Sequence, residues 1–95
     1  MNYRKLGRTE MKVSEISIGT WAFGNNVYGG VDEKTSIETI HAGIELGVNL
    51  FDTAPQYGNL HQDGVAEKIL GKALEGKRTK VYISSKFGRN PTIAN

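Results

Sequence analysis

Asn49-Leu50-Phe51-Asp52-Thr53-Ala54-Pro55-Gln56-Tyr57-Gly58 is an apolar run that ends abruptly in an acid and, five positions later, in a tyrosine. With Val48 ahead of them, Leu50 and Phe51 suit a strand covered on both faces, because large and β-branched side chains pack well in a buried pleated sheet. Asp52 stands where that run stops, and a carboxylate there must stay near water or be paired. Pro55 discourages Ala54 from helix, so the chain turns and carries Tyr57 back over the strand end. A strand end bearing an acid, a phenol and a tight loop reads as a site.

Working outward, a second apolar run, Val81-Tyr82-Ile83-Ser84-Ser85, ends in Lys86. Between the two runs Ala66, Ile69, Leu70, Ala73 and Leu74 recur at the spacing of one helix face. Strand, helix, strand implies two parallel and adjacent strands. Neighbouring strands lie about 4.8 Å apart, so Asp52 and Lys86 share one edge of the sheet. Gly71 interrupts good helix formers at a cost of about 1 kcal/mol against Ala, which points to close packing there, and Gly76 supplies a stop.

Upstream, the polar Gly7-Arg8-Thr9-Glu10 connects two short segments as a hairpin. Ile16 and Ile18 then lead to Gly19-Thr20-Trp21, where the glycine permits close approach of backbone or ligand. The loop Ala22 to Val31 holds three glycines and two asparagines. It matches neither a phosphate loop nor the dinucleotide fingerprint, and reads as a mobile rim over the site. Asp32 caps a helix bearing Ile37, Ile40, His41 and Ile44 on one side, with Gly47 as its stop. The expected elements are a hairpin over about 3–14, strands over about 16–19, 48–52 and 81–85, and helices over about 33–46 and 64–75.

Composition narrows the partners. The chain has 95 residues, no Cys, and 12 Lys plus Arg against 10 Asp plus Glu. Its basic residues are dispersed apart from Lys77-Arg78-Thr79-Lys80, a solvated corner, so no nucleic-acid partner is expected. No stretch approaches the roughly 20 apolar residues of a membrane span, and the amino terminus lacks a secretory segment. A cytoplasmic location is expected, compatible with the absence of cysteine. His41 reads as a core or rim residue. Asp52, His61 and Asp63 lack the convergent spacing of a metal site, and no metal is expected.

Asp, Tyr and Lys at one rim suit reduction of a carbonyl. Tyrosine ordinarily keeps its proton until about pH 10, and a nearby ammonium stabilises phenolate, easing proton donation to a developing alkoxide. Asp52 would pair with Lys86 and hold it. A hydride must then come from a cofactor, since no side chain carries that chemistry. Trp21 could wall an apolar pocket or pack beside that cofactor. Plainer roles stay open for each: an ion pair for Asp52 and Lys86, a rim aromatic for Tyr57, ordinary packing for Trp21.

Tyr3-Arg4-Lys5-Leu6-Gly7, Gly19-Thr20-Trp21, Asn49-Leu50-Phe51-Asp52-Thr53-Ala54, Tyr57-Gly58, Glu67-Lys68-Ile69-Leu70-Gly71-Lys72-Ala73-Leu74 and Ser85-Lys86-Phe87-Gly88 together resemble the amino-terminal part of an aldo-keto reductase, in order and spacing. That resemblance implies an α/β fold: the first three βα units, the last incomplete, of a (β/α)8 TIM barrel preceded by an amino-terminal β-hairpin, with 1–95 a partial barrel domain. It implies NADPH-dependent reduction of aldehydes or ketones, with Asp52 as the acid, Tyr57 as proton donor and Lys86 tuning the tyrosine. Thr20, Trp21 and Asp52 would lie by the cofactor. The family's catalytic histidine ends the next strand and has no match after Lys86; His61 is in the wrong loop to replace it. A barrel of this type needs roughly 250 residues, so the isolated chain is expected to be inactive. Self-association or a complementary barrel fragment would cover its unfinished edges. A non-enzymatic protein-binding role, like that of the family-related potassium-channel subunits, is the alternative.

Overall fold

The computed structural model describes residues 1–24, 30–59 and 62–88. Most of the Gly/Asn-rich segment read as a rim loop, and His61, lie outside the described residues. The chain opens with an antiparallel hairpin, β1 (Tyr3–Lys5) and β2 (Lys12–Ser14), in which Tyr3 pairs with Ser14 and Lys5 with Lys12. Then come β3 (Ile18–Gly19), α1 (Glu33–Glu45), β4 (Leu50–Asp52), α2 (Val65–Ala73), one turn of 3₁₀ helix at Arg78–Lys80, and β5 (Tyr82–Ser84).

β3, β4 and β5 form one parallel sheet in that order, with β4 central. Ile18, Phe51 and Ile83 are aligned across it, and one residue on, so are Gly19, Asp52 and Ser84. Since side chains alternate faces along a strand, the first set points to one side and the second to the other. The Ile18–Phe51–Ile83 side carries the core: Phe51, Ile40, Ile69, Leu70, Ala73, Leu74, Val48 and Val81 cluster there with Phe23. Both helices bury their apolar stripes against it. The other side, bearing Gly19, Leu50, Asp52, Tyr82 and Ser84, has no helix over it among the described residues.

α1 begins where Asp32 Oδ1 accepts the Thr35 amide, 2.7 Å away, satisfying an amide with no partner inside the helix. That contact holds the Asp32 carboxyl below its ordinary range. Gly47 ends the helix at φ 100°. His41 Nε2 donates to the Ala73 carbonyl at 2.8 Å, tying the middle of α1 to the last turn of α2.

Several expectations change. The first parallel strand starts at Ile18 rather than residue 16, because Ile16 is 60% exposed and precedes the ladder. Val48 and Val81 are buried but approach their strands as irregular chain, so β4 and β5 are three residues each. α2 starts at Val65 behind Gly64, whose φ of 88° is left-handed and whose amide donates to Pro55. Gly71 is exposed with open space where a Cβ would stand, so it is not a packing glycine. The close approach in the helices is at Gly43, where a Cβ would run into Ile18 Cδ1.

Candidate functional site at the carboxyl edge of the sheet

Asp52 is the last residue of the central strand, and both neighbours hold it. From the β3 side, the Thr20 amide and Thr20 Oγ1 both donate to the Asp52 carbonyl, at 3.0 and 3.1 Å. From the β5 side, the Thr53 amide donates to the Ser84 carbonyl at 2.8 Å. The peptide that follows the Asp52 side chain is therefore pinned to both flanking strands, its carbonyl toward β3 and its N–H toward β5.

Lys86 arrives two residues after β5. Its Nζ donates to Asp52 Oδ1 and to the Thr53 carbonyl, each at 2.9 Å, and stands 4.8 Å from the centre of the Tyr57 ring. The hydrogen bond to Asp52 is the main reason the Lys86 ammonium is held above its ordinary value; partial burial opposes it, and the Tyr57 oxygen adds to it. Lys86 is thus a fixed cation between an acid and a phenol. The Lys86 and Asp52 side chains remain 44% and 41% exposed, so the pair is reachable from solvent.

Tyr57 is placed by a tight turn. Its amide donates to the Ala54 carbonyl at 3.1 Å, and its carbonyl accepts the Ala66 amide at 3.0 Å, linking the loop to the first turn of α2. Gly58 follows at φ 94°, squeezed so closely against the Phe23 carbonyl that a Cβ there would collide with it. Phe23 and Gly24 are bridged to Val31, with the Gly24 and Val31 amides each donating to the other's carbonyl, at 2.9 and 2.7 Å. The Tyr57 loop is braced against that neck.

The structure separates the other two residues expected by the cofactor. Thr20 is buried, and its hydroxyl donates to the Asp52 carbonyl. Trp21 is 45% exposed at the same rim. Between them and Asp52, Gly19 leaves the space of its missing Cβ empty on the open face, in register with Asp52. A flat ring can lie against that backbone beside the carboxylate, so these residues fit a nicotinamide.

Three residues of the region were not singled out by their chemistry in the sequence. Asn49 Oδ1 accepts the Ser14 amide at 2.7 Å while Nδ2 donates to the Lys12 carbonyl at 2.9 Å, docking the hairpin on the head of β4. Its place before an apolar run was a visible signal. Thr53 is buried, and its Oγ1 has no partner among the described residues. Gly58 was legible only as a turn residue. No group of three His, Cys, Asp or Glu that could hold a metal occurs among the described residues. No helix among them is long and apolar enough to cross a membrane.

A parallel β-α-β-α-β unit with its polar side chains gathered at the carboxyl strand ends has the layout of an α/β-barrel enzyme, whose sites lie on that face. Residues 15–95 match the aldo/keto reductase family, and the chain belongs to it. It is 47% identical over 88 residues to aldo-keto reductase YhdN of Bacillus subtilis, covering 90% of this chain and 25% of that one. To methylglyoxal reductase YeaE of Escherichia coli it is 40% identical over 77 residues, covering 81% and 25%. Among solved structures, aldo-keto reductase AKR11C1 from Bacillus halodurans in its holo form superposes with a TM-score of 0.79 at 32% identity, over 95% of this chain and 27% of that one. The chain therefore spans about a quarter of the length of the curated relatives it matches. These neighbours imply the (β/α)8 barrel fold.

Proposed function

We propose that this chain is the first three βα units, the third incomplete, of a barrel that reduces aldehydes or ketones to alcohols with NADPH. The observation that carries the reading is the Lys86 ammonium, 2.9 Å from Asp52 Oδ1 and 4.8 Å from the Tyr57 ring centre, on the solvent-reachable edge of the sheet. The likeness to a methylglyoxal reductase supports a small carbonyl substrate.

In this reading Tyr57 Oη gives its proton to the substrate oxygen. Lys86 stabilises the phenolate left behind, and Asp52 keeps Lys86 charged and in place. Thr20 acts through Asp52 by fixing its backbone. Asp52, Trp21 and the bare backbone at Gly19 would hold the nicotinamide end of the cofactor, which supplies the hydride. The outer strands β3 and β5 are the edges to which further barrel strands would pair.

The test joins this chain to the remaining three quarters of the Bacillus subtilis relative and follows NADPH oxidation with a small aldehyde. Turnover by the chimera that falls by about a hundredfold or more in Tyr57→Phe, with NADPH still bound, supports the reading. Equal turnover in Tyr57→Phe overturns it. The 95-residue chain alone is expected to show no turnover, and sedimentation velocity reads its association.

A further inference from the structure

The first turn of α2 touches both halves of the Tyr57 and Lys86 pair. The Ala66 amide donates to the Tyr57 carbonyl at 3.0 Å. The next residue, Glu67, reaches past β5: its Oε2 accepts the Ser85 hydroxyl at 2.8 Å. Ser85 immediately precedes Lys86. Two consecutive helical residues therefore hold the loop that carries the phenol and the segment that carries the ammonium.

What that grip does to Lys86 follows from the alternation of side chains along extended chain. The ladder between β4 and β5 ends at the pair Asp52 and Ser84, so Lys86 lies two residues past the last register position. Ile83 faces the helices, and Ser84 shares the side of Asp52. Continued residue by residue, the pattern turns Ser85 to the helices and Lys86 to Asp52. Both contacts agree with it: Ser85 meets Glu67 of α2, and Lys86 Nζ meets Asp52 Oδ1 at 2.9 Å. A backbone twist that freed Ser85 from α2 would swing the Lys86 stem off Asp52. The start of a helix favours a carboxylate, and an ionised acceptor makes the stronger hydrogen bond, so Glu67 suits this grip.

We infer that Glu67 is a positioning residue for the reaction: through Ser85 it holds Lys86 on the Asp52 side of the sheet edge, beside the Tyr57 phenol. The consequence for turnover rests on the reductase reading, whereas the hold on Lys86 does not.

The hold is read in the isotope-labelled chain by following the Lys86 side chain through an alkaline NMR titration. The parent Lys86 should titrate above its ordinary 10.5, because Asp52 is bonded to it. Glu67→Ala and Ser85→Ala should each bring that midpoint down toward the ordinary value. The double variant should go no lower than either alone, since both changes remove one bond. Glu67→Gln keeps an acceptor for Ser85 and should retain the parent midpoint. Loss of the first-turn charge is common to Glu67→Ala and Glu67→Gln, and Ser85→Ala removes no charge, so the set separates positioning from helix stabilisation and from long-range electrostatics. An unshifted parent Lys86, a Ser85→Ala midpoint equal to the parent's, or equal effects of Glu67→Ala and Glu67→Gln overturn the inference.

In the chimera with the Bacillus subtilis relative, Ser85→Ala should lower kcat by about tenfold with KM unchanged, since the phenol's proton is used only in the transition state. Turnover that needs Tyr57 but is indifferent to Ser85 and Glu67 overturns this inference and leaves the reductase reading standing. Lys86 midpoints that move as expected, with turnover indifferent to Tyr57→Phe, support the hold and overturn that reading instead.

Discussion

Replacing Gly58 with Ala tests how the fold aims the Tyr57 loop. Gly58 sits at φ 94°, where an L-residue is strained by about 1–2 kcal/mol. Its new Cβ would also collide with the Phe23 carbonyl oxygen and stand 3.0 Å from the Ala66 amide nitrogen and 3.1 Å from Val65 Cγ1. Two of those three atoms are backbone, so rotation of a side chain cannot relieve the clash, and overpacking of this kind costs about 1–3 kcal/mol. The sum is about 2–5 kcal/mol, a large share of the roughly 5–15 kcal/mol that holds an ordinary domain together. Relief would have to separate the Tyr57 loop from the neck at Phe23–Gly24 or stretch the Ala66 to Tyr57 hydrogen bond. Either motion carries the phenol off Lys86.

Urea unfolding with linear extrapolation reads the cost. An amide-shift map of Tyr57, Ala66 and Lys86 reads the displacement. Loss of less than about 0.5 kcal/mol, the range of an ordinary surface change, would show that this contact does not hold the loop.

Gly71→Ala makes the contrasting change, since no atom lies within 4 Å of its added Cβ and the position is helical and exposed. It should stabilise by about 1 kcal/mol and raise the thermal midpoint by about 4–8 °C, seen by calorimetry. Asn49→Ala leaves the Ser14 amide without its acceptor and frees the hairpin from β4. It should cost about 1–3 kcal/mol and speed hydrogen exchange in β1 and β2 before the parallel sheet. The ion pair of Lys86 has a pH signature. Because its folded value is raised above the ordinary 10.5, its contribution is fully present below pH 10.5 and disappears as pH climbs through the higher folded value. With both side chains about two-fifths exposed, the loss stays at or below about 1 kcal/mol, and Lys86→Met should flatten that alkaline slope in urea titrations. Asp32→Ala should lower the midpoint by a few degrees above pH 3.8, and the difference should vanish as pH falls through the depressed value of the capping carboxyl.

Much of the molecule was legible in order and spacing. Apolar periodicity marked both helices, and residues that end apolar runs marked Asp52 and Lys86 as strand-end groups. Their meeting follows from adjacency in a parallel sheet, which a single crossover helix dictates. Strand lengths were overestimated because Val48 and Val81 are buried by the helix layer without joining the ladder. Burial and ladder pairing produce the same apolar signal in a sequence. Gly43 and Gly71 show the same limit: both are helical glycines, and only the path of the neighbouring strand decides which one has Ile18 against it.

The amino-acid order alone determined that an acid, a phenol and an ammonium would be delivered to one rim, because alternation and crossover connections are local rules. Tertiary structure decided which backbone atoms hold them: Thr20 turned inward onto the Asp52 carbonyl, Gly58 wedged under Phe23, Asn49 clasping the hairpin. Such contacts join residues far apart in the chain, and their geometry exists only once the layers have packed.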